Sequence, residues 1–340
     1  MKGVSQPGAL PSAPNPQAEF AATLREAGFI LDGGHPIMDG HRHRVPVDGD
    51  RRGQTGGYYV GYLDGRPAGY YKNHRTGVAA NWKTLGYSLN REDRSRLVAE
   101  AAAKKAARAK EQEAVYARTA DSLAARLSTY RPLAEPTPYL RAKGVEPAPG
   151  AFTDERQTTI LPAYDAAGRH WTTQYINPDG VKRFAKDSHK EGCFHVAGGG
   201  TPENLDSAPV IVMAEGYVTA LDVRRALGGA MPVVTAFDSG NLEPVANALR
   251  QRYPNKPILV VGDDDRQLVA KLGANPGRDH ATAAARAVNG HVFFPTFLSD
   301  CEGTDFNDLV RSAVGETGAR RQLVPVFARL VEGLRHVVGP

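Results

Sequence analysis

The run Val210–Ala214, VIVMA, constrains this chain more than any other segment. Five apolar residues without a polar interruption suit a strand covered on both faces, which is the environment of a parallel sheet. The run ends at Glu215 and Gly216. Apolar residues then recur at Ala220, Leu221, Val223 and Leu227, the spacing of a helix. The pattern repeats. Strands are predicted at Val210–Ala214, Val233–Ala236, Ile258–Gly262 and His291–Phe294, and helices at Val218–Leu227, Leu242–Gln251 and Arg278–Val288. Such alternation predicts an α/β fold with a mostly parallel sheet flanked by helices, and in such sheets ligands bind beyond the carboxyl ends of the strands.

Acidic residues collect at those ends. Glu215 follows VIVMA, Asp263, Asp264 and Asp265 follow PILVVG, and GTDFNDL places Asp305 and Asp308 after the last strand and its loop. One acid at a strand end is commonly a cap or a solvated turn residue. Three signals converging on one edge repel each other unless a cation neutralises them. An oxygen-only donor set without His or Cys calls for a hard ion, Mg²⁺ or Mn²⁺, of the kind that bridges carboxylates and phosphate oxygens in phosphoryl or nucleotidyl transfer. No G-x-x-x-x-G-K-[ST] motif occurs, which excludes a P-loop motor.

The formal net charge of +5 is unevenly placed. Between His41 and Lys83 stand eight Lys/Arg against three acids, a surplus equal to that of the whole chain. The same segment holds Tyr58, Tyr59, Tyr62, Tyr70, Tyr71 and Trp82 in short runs broken by DGD, GG and LDGRP, the pattern of antiparallel hairpins. Rings among cations suit single-stranded nucleic acid, with bases stacking and cations following phosphates. Arg44, Tyr58, Tyr59, Tyr71, Lys72, Arg75 and Trp82 are the residues nominated for single-stranded DNA. The alternative is a small sheet whose tyrosines are its core. His41 and His43 are read as ordinary strand residues rather than metal ligands.

Two cysteines 108 positions apart, Cys193 and Cys301, form no zinc half-site and are read as reduced thiols. No apolar run reaches the ~20 residues that span a membrane, and the N-terminus lacks a signal-peptide core, so a cytoplasmic protein is expected. The composition reads as residues 1–17, a disordered leader; 18–90, a basic, aromatic-rich α+β domain with a helix over 18–31; and 91–130, a helical connector. After it come 131–200, a basic α+β subdomain in which Lys182, Arg183, Lys186 and Lys190 cluster; 201–318, the α/β domain; and 319–340, a C-terminal helix that packs on the sheet or binds a partner.

EGYVTA, VVGDDD and TDFNDL, in this order, resemble the Toprim domain of DnaG-type primases and topoisomerases. With NPGRDHATAAARA, TPYLRAKGV and the basic segment 160–188, the chain is similar to plasmid and phage primases of the TraC-like group over about 130–312. The resemblance implies Toprim preceded by a basic primase subdomain. It implies a DNA primase making short oligoribonucleotides on single-stranded DNA from ribonucleoside triphosphates with Mg²⁺ or Mn²⁺. A replicative helicase or single-strand-binding protein is the candidate protein partner, and no membrane is involved. It makes Glu215 an acid/base group or metal ligand, Asp263 and Asp265 a metal pair around a variable Asp264, and Asp305 the third acid, supported by Asn307 and Asp308. Lys182, Arg183, Lys186 and Lys190 would hold nucleotide or template, and Arg278 would face nucleic acid. DnaG-type primases carry an N-terminal zinc module, for which this chain has no cysteines. The alternatives are a Toprim-type nuclease, which has less use for the basic subdomain, and a non-enzymatic single-stranded-DNA-binding protein of a mobile element, which gains nothing from acids near phosphates.

Overall fold

The computed structural model describes residues 15–64, 66–84, 91–299 and 301–337. They fall into two compact units, residues 1–111 and 112–340. Residues 1–14 of the expected leader lie outside the described residues, whereas Asn15 already caps a helix. Its Oδ1 accepts from the N–H groups of Gln17 and Ala18, and Pro16 opens α1 (Pro16–Glu26). The helix therefore starts and stops earlier than the expected 18–31.

In the first unit α1 is followed by β1 (Asp39–Val45), β2 (Gly57–Tyr62), β3 (Ala68–Asn73) and β4 (Ala79–Lys83), an antiparallel sheet in that order. Burial alternates residue by residue along β2 and β3, as the period of two requires. One face packs under Phe20 and Leu24 of α1. Phe20 stacks on Trp82 at 4.7 Å and meets Tyr59 edge-on at 5.8 Å. This corrects the nomination of Tyr59, Tyr71 and Trp82 as DNA-binding residues: all three are core. Adjacent tyrosines in a strand point to opposite faces, so each Tyr-Tyr pair gives one ring to the core and one to the surface. Arg75 spends its guanidinium on Asp50, at 3.2 Å.

The helix α2 (Arg91–Leu127) carries the chain from the first unit into the second. There β5 (Arg131–Pro132), β6 (Phe152–Thr153), β7 (Thr159–Tyr164), β8 (His170–Ile176) and β9 (Lys182–Phe184) make an antiparallel sheet in sequence order. The helix α3 (Pro138–Lys143) lies between its first two strands in sequence. A second sheet has the order β10 (His195–Ala197), β12 (Val233–Thr235), β11 (Ile211–Ala214), β13 (Ile258–Val261), β14 (His291–Phe293). Its last four strands are mutually parallel, and β10 runs antiparallel against β12. The wholly buried β10 was expected within the 131–200 subdomain and instead completes this sheet.

Helices cover both faces, and a short α6 (Arg266–Leu272) follows β13. α5 (Ser239–Arg252) and α7 (Pro276–Ala287) bury Leu242, Val245, Leu249, Ala281 and Ala284 against Met213 and Val260 on one side. α4 (Tyr217–Ala226), α8 (Phe306–Arg311) and α9 (Gly315–Val337) cover the other, and Leu161 and Ile176 of the antiparallel sheet share that core with Val212, Val261, Ala319 and Leu323. The two sheets of this unit are thus one packed body. No helix among the described residues is long and apolar enough to cross a membrane.

Candidate active site

Strands β11 and β13 are adjacent, parallel and in register, with Ala214 opposite Val261, so Glu215 and Asp263 leave the sheet side by side. Burial disfavours the charge on each, and Glu215 raises Asp263 further. The Glu215 carboxyl is pushed up to about 7, first by desolvation and then by Asp265 and Asp238, against the Ser239 N–H and Lys182 that favour its ionised form. Asp263 is pushed up to about 8 by desolvation and by Glu215, Asp305, Asp265 and Asp308. Its Oδ1 is buried without a hydrogen-bond partner. An orphaned carboxylate oxygen facing other carboxylates is costly and marks a place a cation would relieve.

The three consecutive aspartates have three different environments. Asp264 is nearly buried and neutralised: its Oδ2 lies 3.2 Å from Arg278 and 3.7 Å from Arg266, and its Oδ1 accepts from Asn275 Nδ2 at 2.7 Å. Asp265 caps α7 through Oδ2, which accepts from the Gly277 N–H at 2.9 Å. A Cβ on Gly277 would stand 2.7 Å from the Asp263 carbonyl, so only glycine lets the helix start press on this loop. Arg278, expected to face nucleic acid, is exposed, pairs with Asp264 and lies 4.1 Å above the Phe294 ring.

The third acidic segment is a capping box. Asp305 Oδ1 accepts from the Asp308 N–H at 2.8 Å, and Asp308 Oδ2 accepts from the Thr304 N–H at 3.0 Å. Thr219 of α4 donates to Asp305 Oδ2 at 3.3 Å, and burial raises the Asp305 carboxyl above its ordinary range. Between the two acids, Asn307 is buried and donates from Nδ2 both to the Lys143 carbonyl, at 3.1 Å, and to Asp222 Oδ2, at 2.6 Å. Asp222, buried in α4, is held further by Arg225 at 2.6 Å and is itself pushed up to about 6 by desolvation.

Beside α8 opens a cleft of about 590 Å³ between Tyr139 and Lys143 of α3, Asp179 and Lys182 around β9, and Asp308 and Arg311. Of the basic cluster, only Lys182 lines it. Arg183 and Lys186 are exposed, and Lys190 is paired with Asp238. Sequence reasoning missed Lys143 and Arg311 on its walls, Thr219 and Asp222 behind it, and the Phe237–Ser239 turn. That turn puts Phe237 at φ +78°, and its N–H reaches the Glu215 carbonyl at 2.7 Å. A non-glycine residue held in the left-handed region beside a site is a strain the surroundings must enforce.

The donor chemistry fits a hard divalent cation, with Asp263 as its focus. The expected five-residue set Glu215, Asp263, Asp265, Asp305 and Asp308 is not gathered into a cage, however. Among the described residues no three His, Cys, Asp or Glu side chains converge as ready ligands. Part of the reason is that Asp265, Asp305 and Asp308 each give an oxygen to a helix start. Mg²⁺ tolerates this, since it usually takes one or two carboxylates and completes its shell with water and substrate phosphates.

These features define the class. Residues 210–316 match the Toprim domain model, and the chain carries a Toprim domain whose α/β sheet is the one described above. Over most of its length the chain is also similar to two proteins of Escherichia coli, each called DNA primase TraC. One is 52% identical over 288 residues, 84% of this chain, and the other 50% identical over 302 residues, 87% of it. The chain spans only 27% and 20% of the length of these relatives. Among solved structures, the primase fragment of the bacteriophage T7 primase-helicase aligns with a TM-score of 0.36 and 14% identity, over 55% of this chain and 68% of that one. The zinc-binding and RNA polymerase domains of Aquifex aeolicus primase give 0.35 and 14%, over 94% and 84%.

Proposed function

We propose that this chain is a DNA primase, joining ribonucleoside triphosphates into short oligoribonucleotides on a single-stranded DNA template. The observation that carries the reading is the partnerless, buried Asp263 Oδ1 beside Glu215, at the strand ends of a Toprim sheet. A bound Mg²⁺ or Mn²⁺, held by Asp263 with Glu215, Asp265 or Asp305, would neutralise the charge that develops on phosphate oxygens. Glu215, whose carboxyl burial pushes up to about 7, would take the proton of an attacking 3′-hydroxyl in this reading. Lys143 and Lys182 offer cations to the triphosphate across the cleft from Asp308, and Arg311 offers one from the same helix as Asp308. Exposed Arg183 and Lys186 are suited to follow template phosphates.

The test is incubation with circular single-stranded DNA, ribonucleoside triphosphates and Mg²⁺ or Mn²⁺, with labelled products resolved on a gel beside Glu215→Gln. A ladder of short oligoribonucleotides that vanishes in the variant supports the reading. Metal-dependent loss of the circle without a ladder replaces it with a nuclease.

A further inference from the structure

The outer face of the first unit's sheet is unlike its inner one. Cross-strand register builds it in rows: Arg44, Tyr58, Lys72 and Ala79 stand opposite one another, and Arg42, Val60, Tyr70 and Asn81 form the next row. Neither row contains an acid. Arg42 and Arg44 are exposed, Tyr58, Tyr70 and Lys72 half-buried. Among the described residues, neither arginine nor Lys72 forms an ion pair, in contrast to Arg75 with Asp50 and Arg108 with Asp64. The nearest acid along the sheet, Asp39, is bonded to His43 at 2.8 Å.

The rings on this face form a track. Tyr70 and Tyr58 lie 6.0 Å apart between centroids, and Tyr58 and the exposed His74 lie 5.6 Å apart. Arg42 sits 4.1 Å over Tyr58. Spacing of this size exceeds the ~3.4 Å per nucleotide of a stacked strand. It therefore suits bases that have been separated and laid singly on aromatic rings or guanidinium planes. A duplex, whose bases are stacked and paired, offers this face only its phosphates.

We infer that Arg42, Arg44, Tyr58, Tyr70, Lys72 and His74 form a single-stranded-DNA site on the outer face of β1–β3 in the first unit. Three uncompensated cations take phosphates and the ring track takes bases. The inference deepens the proposed primase reading, since it assigns a second holding point for the template. It differs from the sequence-based nomination, which put core residues on the template and left out Arg42, Tyr70 and His74.

Because binding needs no catalysis, the experiment separates this inference from the primase reading. Full-length protein is titrated against fluorescein-labelled oligo(dT) without nucleotides or divalent metal, and anisotropy is read at several salt concentrations. Tyr58→Leu/Tyr70→Leu keeps apolar bulk but removes the flat rings, and is expected to weaken binding about tenfold. Arg42→Ala/Arg44→Ala/Lys72→Ala, all surface changes, is expected to lower the slope of log K against log salt by about 2, at ~0.7 per lost phosphate contact. Tyr59→Phe, which alters only the core face, should bind as the parent does. Unchanged affinity and slope in both multiple variants would overturn the site, whether or not the protein makes primers. Equal tenfold losses on a duplex of the same length would overturn base stacking, and with it the inference.

Discussion

The sheet of the first unit carries its charge in the open, whereas the strand ends of β11 and β13 hold theirs under cover. Arg42 and Arg44 are exposed and Lys72 only half-buried, so these charges cost the fold little and can stand ready for a ligand whose grip weakens with salt. Glu215 and Asp263 are desolvated beside each other, with one oxygen lacking any partner. That arrangement opposes folding at neutral pH, and a fold keeps it only where a cation or a proton is to be used. The difference separates holding a polyanion from reacting with one.

The sharpest way to break the comparison is at the covered acids. Glu215→Gln or Asp263→Asn should lower primer synthesis by at least ~10²–10⁴-fold, while oligo(dT) binding in metal-free buffer stays near the parent value. A variant that loses binding to the same degree would merge the two regions into one site. Next in size is the inner face of the first sheet. Tyr59→Ala removes a fully buried ring and should cost about 3–5 kcal/mol in thermal or urea melting. Tyr58→Leu on the outer face should cost far less.

Removing the covered charge should stabilise the protein. The folded-state pKa of Asp263 lies near 8, well above its ordinary 3.8, so the native chain binds the extra proton and metal-free stability falls as pH rises between these values. Asp263→Asn should therefore raise the metal-free Tm at pH 8, by roughly 2–4 °C per kcal/mol relieved, and should abolish most of the further rise that Mg²⁺ gives the parent. A Tm that falls in the variant would mean the carboxylate has a structural partner. The smallest effect concerns the support behind the acids. Asn307→Ala leaves Asp222 Oδ2 and the Lys143 carbonyl without their donor and should cost about 1–3 kcal/mol by urea unfolding.

Sequence reading succeeded at the second region because parallel strands all end at one edge. Apolar runs terminated by acids place those acids together without any knowledge of side-chain directions. It located Val210–Ala214, Ile258–Gly262 and the acids beyond them for that reason. It failed to divide the tyrosines of the first region because Tyr58 and Tyr59 are equivalent as letters, and only pairing with β1 and packing under α1 decide which ring is inside. The short β10 was illegible for a related reason: three buried residues after a glycine turn carry no period. Nor could spacing reveal that Asp264, the aspartate expected to vary, is the one bound to Arg278, or that Asp265 caps α7.

The double donation from Asn307 has a mechanical consequence. One amide group ties the last turn of α3 to α4 from a position between Asp305 and Asp308. The wall of the cleft that carries Lys143 and the helix start that carries two carboxylates are thereby pinned to a common point. A load applied to one wall is transmitted to the other, and the width of the cleft and the aim of its acids change together.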